Sequence, residues 1–565
     1  MNARAIGVPM LLVPIDQNQL LWLILSSTNQ RRLQQLLPVW LWKRISLTIR
    51  GWEFHEQLRP FIQLTAHHGD ELCGSFLLVG FGTLDFWTAD PQAAQEICLR
   101  VHDFEVPRAL QPALGQYGPN VMTTNGETWA RHRRIVTSVI DDRILKTVFD
   151  ESIHQTHGLL NKTFSLSSST DDAVETRLIF DMIKQVTIRV LFNVSMGKNA
   201  HWKEGYEKLE PSYRMTEIES LIAVVSNLTG AAIIPTRILT GWPSWLPGYS
   251  RMEALGRAKV EVLERTKSKL DWERASMSTN TQESKMNNIM NKLIHESEGY
   301  QTPHKSLSED EMISTLFILT VAGFETTATT LAYAIVLLAR HSQWQDWILE
   351  EVDSLIPTDH AQPIEYMPVF SRATRIMAFM LETLRLYSPA PHVHREISSQ
   401  QKLHTSIGTI RLPPGTRVYV NSLAIHLLPS WRDINRQSDP DFVKSDPDVM
   451  DEYIFRPSRW LNTTGSAHAI YHPPKGMFLP WAMGPRVCPG QKMAQVEFTA
   501  VLLAIMKGHR ISATPLEGEG QAELEQRLDA RLRDSRWVTV LQMNGVFGVK
   551  EEEGEGLSIR ISKRR

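Results

Sequence analysis

Cysteine is nearly absent: Cys73, Cys98 and Cys488 are the three in 565 residues. A sparse, odd set excludes a disulfide framework and fits a reducing compartment. The three also lack the paired short spacing of a structural zinc site. An excess of charge of one sign is missing too, with 60 Lys and Arg against 62 Asp and Glu and a net charge of −2. That balance gives no electrostatic reason to bind nucleic acid or an acidic surface. There is no unbroken apolar run near the N-terminus. Residues 6–25, IGVPMLLVPIDQNQLLWLIL, are apolar at both ends but interrupted by Pro9, Pro14 and the polar residues 16–19. A spanning helix wants about 20 mostly apolar residues. The weak basic start and the lack of a small-residue cleavage site exclude a clean signal peptide. Internal repeats and long low-complexity linkers are absent as well.

What is present suits a globular chain. Hydrophobic residues make up 42% and charged residues 22%, an ordinary balance, and a chain this long can bury a large core without staples. Trp22, Trp40 and Trp42 lie near Arg31, Arg32, Lys43 and Arg44. That mix suits a segment lying in a membrane interface; the alternative is that these residues cover the domain's own core. No later break reads as a domain linker. The expected division is therefore 1–44, a membrane-associating or linker segment, and 45–565, one domain. Strand-like pieces occur at 75–81 and 417–420, and 537–563 alternates around Asn544-Gly545 and reads as a hairpin. The polar stretches 165–172 and 274–287 read as surface loops. The class is mainly α with small β-sheets.

The longest helical signal runs from Ser308 to about Arg340. Ser308 and Glu311 have the spacing of a capping box, and the body is apolar nearly all round, which predicts burial. Gly323, Glu325, Thr326 and Thr327 interrupt its middle. An acid in an apolar helix is costly unless paired or used, and a glycine weakens the helix by about 1 kcal/mol relative to alanine. Two locally unfavourable choices side by side mark a functional site.

One cysteine sits in FLPWAMGPRVCPGQKMAQVEF, residues 478–498, just before an apolar helical run. A helix N-terminus favours a nearby thiolate. Gly484 permits a tight turn and Gly490 a close backbone approach. Trp481, Gly484, Arg486, Cys488 and Gly490 together resemble the haem-binding loop of the cytochrome P450 family, the haem-thiolate monooxygenases, with Trp481 where the family has Phe. The resemblance implies haem b with Cys488 as the axial iron ligand, a thiolate that favours O–O cleavage. It gives Arg486 a propionate to pair with and puts Gly490 against the cofactor.

Four further stretches resemble the family in the family's order. AGFETT, 322–327, resembles the oxygen-activation segment. The resemblance assigns Ala322 and Gly323 to a groove for dioxygen, and Glu325 and Thr326 to proton delivery, a kind of catalysis that contributes about 10²–10⁴-fold. The competing account is a Thr-rich helix whose hydroxyls bond back to carbonyls. Glu382 and Arg385 share a helix face and resemble the family's structural ion pair. Arg459 of FRPSRW, 455–460, is implied as its third partner, with Ser458 in place of the usual acid. Trp129 and Arg133 in GETWARHRRIV, 126–136, four apart on one face, resemble the pair that holds haem propionates; Arg395 matches another propionate contact. His132 and Arg134 read as surface or supporting positions. Sequons occur at Asn161, Asn193, Asn227 and Asn462.

The resemblance implies a single large domain enclosing a haem, of microsomal fungal type. Electrons would come from NADPH through a separate reductase, and one atom of O2 would enter an apolar small-molecule substrate, plausibly in fungal secondary-metabolite biosynthesis. The expected location is the endoplasmic reticulum membrane, cytosolic face. Two other readings stand beside this one. The first is a same-fold haem enzyme doing rearrangement or dehydration without a reductase. The second is a non-catalytic haem-binding carrier or sensor. The acid–alcohol pair Glu325–Thr326 speaks against both.

Overall fold

The apolar helix expected over 308–340 is the axis of the fold. It runs from Glu309 to Arg340. Ser308 Oγ accepts from the Glu311 N–H at 3.3 Å, and the Glu311 carboxylate accepts from the Ser308 N–H at 2.9 Å. It is long and apolar enough to cross a membrane, but its apolar stretch is 83% buried inside the protein, as befits a core helix.

The computed structural model describes residues 6–564 apart from 66–73, 167–171, 198–210, 280–287, 299–305, 357–363, 433, 435–449, 463–468, 538 and 549–555. Cys73 and parts of the two expected loops lie outside the described residues. The helices used below are α1 (Leu20–Leu36), α2 (Pro91–Leu99), α3 (Gly126–Val139), α4 (Asp142–Leu166), α5 (Ile179–Met196), α6 (Tyr249–Thr279), α7 (Glu309–Arg340), α8 (Thr374–Leu386), α9 (Gln491–Met506) and α10 (Gln521–Arg533). Residues 274–279, read as loop, continue α6. The strands are β1 (Met10–Leu12), β2 (Ser75–Gly80), β3 (Thr83–Thr88), β4 (Ala173–Thr176), β5 (His392–Glu396), β6 (Arg417–Asn421), β7 (His509–Ala513), β8 (Ser535–Trp537), β9 (Leu541–Met543) and β10 (Ile559–Lys563).

Two large apolar cores and two small clusters result among the described residues. α4, α5, α7, α8 and α9 share the larger core. The other core lies under a five-stranded sheet of order β1-β2-β3-β6-β5. The mainly helical class with small sheets stands. The hairpin expected over 537–563 does not: β8 pairs with β9 ahead of Asn544-Gly545, and β10 lies between β7 and β4. Alternation predicts which side chains face inward, here Ile559 and Ile561, but not which strand is the neighbour.

The described part of the N-terminal segment joins the domain's sheet. β1 runs parallel to β2, with Met10 opposite Leu77, and Ile6 and Val8 belong to the sheet core. The polar residues that break the apolar run are what seat it. Both Asp16 carboxylate oxygens accept from Arg417 at 2.9 Å. Arg417 also bonds Asp85, and Asn18 Nδ2 donates to Tyr419 Oη at 3.1 Å. The two apolar ends of 6–25 thus belong to a strand and to the start of α1.

Buried charge fixes the other joints. Glu382 on α8 is fully buried. Its carboxylate accepts from Arg385 through two bonds of 2.8 Å, from Arg459 Nε at 3.0 Å, from Trp460 Nε1 at 2.9 Å and from the Arg456 N–H at 2.9 Å. Burial pushes this carboxyl up, but the Arg385 and Arg459 charges prevail and hold it at about 2. Arg459 is the third partner, as the resemblance implies. The acid missing at Ser458 is supplied by Asp451, which pairs with Arg459 at 3.1 Å and Arg456 at 2.9 Å.

A second joint ties α3 to the start of α7. Arg131 grips Glu311 at 2.7 and 2.8 Å, and His132 Nε2 lies 3.2 Å from the same carboxylate. His132 is fully buried, which corrects its reading as a surface residue and leaves the supporting one. Burial pushes the Glu311 carboxyl up, but Arg131, the Ser308 amide and His132 together hold it at about 2, below its ordinary 4.5.

Two outcomes are expected. Glu382→Ala strands two buried guanidiniums and should lower the unfolding free energy in urea by about 3–5 kcal/mol. Glu311 has a folded pKa below its unfolded one, so its stabilisation is complete above about pH 4.5 and fades as pH falls towards about 2. Glu311→Gln should therefore be less stable than wild type at neutral pH, with the gap closing through that acid window in pH-dependent unfolding curves.

Candidate active site

α7 is buried from Glu311 to Leu338 except at four positions, Leu319, Ala322, Gly323 and Thr326. Spacings of three, one and three put them on a single face. A helix buried on every other side that opens on one stripe at mid-length faces interior space. Thr326 is on the stripe, and its Oγ1 donates to the Ala322 carbonyl at 2.8 Å. Glu325 is about 100° away round the helix. It is buried, and its Oε2 accepts from Thr539 Oγ1 at 2.5 Å. Burial pushes its carboxyl up, against the Thr539 bond and the Lys184 charge. The acid and the alcohol expected as a pair are thus neighbours in sequence that bond different partners. The back-bonded threonine and the half-open site residue are the same residue.

Gly323 serves packing as well as the open stripe. A Cβ there would meet Leu191 Cδ1 at 2.4 Å, so its missing side chain lets α5 approach α7 and does not simply make a groove.

The cysteine loop is shaped by two left-handed residues, Ala482 (φ 57°) and Gly484 (φ 72°). A Cβ on Gly484 would also meet the Cys98 carbonyl at 2.7 Å, so the tight turn needs glycine. The Cys488 N–H donates to the Trp481 carbonyl at 2.9 Å and closes the loop. Cys488 keeps an open face although protein surrounds it on nearly every side, so that face also opens inward. Burial pushes its thiol up; the amides of Gly490 and Gln491, at the start of α9, and the Arg133 charge oppose this. A Cβ on Gly490 would meet only Cys488 Sγ, at 3.9 Å. No other part of the chain crowds this position.

Three arginines converge behind this loop. Arg133 Nη1 donates to the Val487 carbonyl at 2.6 Å. Arg486 Nη2 donates to the Thr124 carbonyl and Asn125 Oδ1, both at 2.8 Å, and stacks 4.4 Å over the Trp129 ring. Arg395 Nη1 donates to the His394 carbonyl at 2.7 Å. None of the three has a carboxylate in ion-pair contact among the described residues, and the Nε atoms of Arg395 and Arg486 are buried without a partner. Burial, then the Arg395 charge and also that of Arg133, bring Arg486 down to about 9, with Glu105 opposing. Such a cluster is costly unless it meets an anion. A thiol with an open face beside unpaired guanidiniums fits a haem whose iron takes the sulfur and whose propionates take the arginines. The structure thus brings Cys488, Arg133, Arg395, Arg486 and Trp129 together, and sets Glu325 apart.

Sequence reasoning missed His426. It is fully buried. Its Nε2 accepts from the Leu479 N–H at 2.9 Å, and its Nδ1 lies 3.1 Å from the Arg385 carbonyl, so Nδ1 carries the proton. Burial, then Arg385, hold it neutral, at about 3. It ties the ion cluster to the cysteine loop. A lone histidine in LAIHLLP gives no pattern by which to find it.

Known proteins share this sequence and this fold. The sequence model of the family described as Cytochrome P450 matches residues 73–528. A protein of the fungus Leptosphaeria maculans described as "Phomenoic acid biosynthesis cluster cytochrome P450 monooxygenase" is 46% identical over 100% of this chain and 95% of its own length. A cytochrome P450 monooxygenase of Penicillium rubens is 24% identical, covering 94% of this chain and 90% of its own. Among solved structures, a zebrafish cytochrome P450 with abiraterone superposes with a TM-score of 0.61 at 18% identity, over 90% of this chain and 100% of that one. A family match over most of the chain and a relative that is similar from end to end place this protein in the cytochrome P450 family, as a haem-thiolate monooxygenase.

Proposed function

We propose that the enzyme inserts one oxygen atom of O2 into an apolar organic substrate of fungal secondary metabolism, with electrons delivered from NADPH by a separate reductase. The observation that carries the site assignment is the inward-facing thiol of Cys488 beside three guanidiniums that lack a carboxylate partner among the described residues. The fungal relative whose description names a biosynthesis cluster supports the metabolic setting. In this reading Cys488 holds the iron of haem b, Arg133, Arg395 and Arg486 hold its propionates, Trp129 backs Arg486, and Gly490 leaves the sulfur's side clear.

Bound haem supplies oxygen activation, and a thiolate axial ligand favours O–O cleavage. The chain's residues supply the rest. Leu319, Ala322 and Gly323 give the open face of α7 an apolar lining that suits an apolar substrate and excludes water. Thr326 donates to the Ala322 carbonyl, which leaves its oxygen free to accept a proton donor at the open face. Glu325 is the acid that holds a proton one step along the helix.

Surface chemistry supports a membrane location. Leu21, Leu25, Leu36, Val39 and Trp40 are exposed, and Phe81 stands fully exposed at the β2–β3 turn. We read residues 20–44 as lying on the cytosolic face of the endoplasmic reticulum membrane, with residues 6–19 seated on the sheet of the haem domain that continues over 45–565.

The deciding experiment is the absorption spectrum of the reduced protein with carbon monoxide. Wild type should show the strongly red-shifted Soret band of a thiolate-ligated haem, and Cys488→Ala should lose it. A histidine-type band in wild type would sink the assignment. With reductase and NADPH, Thr326→Ala should go on consuming NADPH while product per NADPH falls, by as much as about 10²-fold if the hydroxyl does the work of a placed general acid. An unchanged ratio would remove Thr326 from proton delivery.

A further inference from the structure

Glu325 is the one charged residue between positions 312 and 339, and it does not lie on the open stripe of α7. Its partner comes from 214 residues away, where Thr539 Oγ1 donates to Glu325 Oε2 at 2.5 Å. Thr539 stands in the turn between β8 and β9. That turn is itself fixed, because the Leu541 N–H donates to the Pro389 carbonyl at 3.0 Å, on the bend that leads from α8 to β5. From α5, Lys184 is the charged group that faces Glu325. Lys184 is half-buried, with Nζ 6.0 Å from the centre of the Phe324 ring and 5.6 Å from that of Phe547. α7 itself brings no other charge within this stretch. Thr326, the next residue, bonds to its own helix.

A carboxyl this deeply buried, with its largest influence pushing towards the neutral form, has an orientation and a proton affinity set by the few groups it touches. Two groups from different parts of the chain act on it: Thr539 of the C-terminal turn through a hydrogen bond and Lys184 of α5 through its charge. We propose that Thr539 is the positioning residue of Glu325, a hydroxyl that holds the acid off the open face and on the Lys184 side of α7. Thr326 and Glu325 then have separate stations: Thr326 faces the reacting centre, and Glu325 stores the proton behind it. The proposal rests on the reading of Glu325 as a proton carrier, and its test keeps the two apart.

The test is an infrared pH titration of the holoenzyme. The carboxylic C=O stretch of Glu325 is identified as the band lost in Glu325→Gln. Thr539→Val keeps the shape of the side chain and removes the donor. It should move that band to higher frequency and raise its titration midpoint by about one pH unit, the tenfold gain in proton affinity that loss of one hydrogen bond to an ionised group typically gives. Thr539→Ser, which keeps a hydroxyl, should leave both near wild type. An unchanged band and midpoint in Thr539→Val overturns the proposal, and so does the absence of any band that Glu325→Gln removes. The infrared readout is independent of turnover. If Glu325→Gln leaves product per NADPH unchanged, the proton-carrier reading fails, while a shifted band in Thr539→Val still upholds the positioning.

Discussion

A carboxylate with no access to solvent holds this structure together. Glu382 meets two guanidiniums, an indole N–H and a backbone amide, drawn from α8 and from the 3₁₀ turn Pro457–Trp460 with the residue before it. Desolvating such a group alone is prohibitive, and the saturated partner set is what makes it tolerable. The cluster extends in two directions. Asp451 pairs with Arg459 and Arg456 and brings in the preceding turn. The Arg385 carbonyl reaches His426, and His426 takes the Leu479 N–H of the cysteine loop. Cys488 is therefore presented by a loop anchored to a fully buried ion cluster.

α7 solves a related problem with the opposite means. Its wall is mostly apolar, and between its first turn and its last residue, Arg340, Glu325 is its one charged residue. Thr326 satisfies its hydroxyl within the helix. Glu325 needs a partner from outside and finds it in the C-terminal turn. Glu311, at the first turn, is shared between the helix cap and α3, and α3 carries Trp129 and Arg133. The helix that supplies the open face is thereby fixed to the helix that supplies part of the anion site. The arginine group behind the loop is placed by neutral partners instead: Arg133, Arg395 and Arg486 bond backbone carbonyls and the Asn125 amide oxygen.

Much of the site was legible in the sequence because its residues come in short, fixed spacings. The cysteine loop, the four-residue step from Trp129 to Arg133 and the three-residue step from Glu382 to Arg385 all lie within a few residues of one another, where chain geometry alone sets proximity. The long buried helix was legible from composition and its capping box. What could not be read was long-range. Asp451 replaces the acid absent at Ser458, yet nothing around it announces that role. His426 and Thr539 are single polar residues in apolar or mixed surroundings. The residues 16–19 look like a defect in a membrane span and prove to be the seat of the N-terminal strand against Arg417, Asp85 and Tyr419.

The sequence by itself determined which groups are at hand: a cysteine at a helix start, arginines at fixed spacings from it, an acid and a hydroxyl in a buried helix, and a mainly helical class. The tertiary structure alone decided direction and partnership. Adjacent residues on a helix point about 100° apart, so Glu325 and Thr326, next to each other in the chain, serve different neighbours. An alternating strand does not specify its partner, so the C-terminal strand left the expected hairpin and joined β7 and β4. Local spacing fixes which groups can act together within a turn or two. Which distant groups complete them is set by how the layers pack.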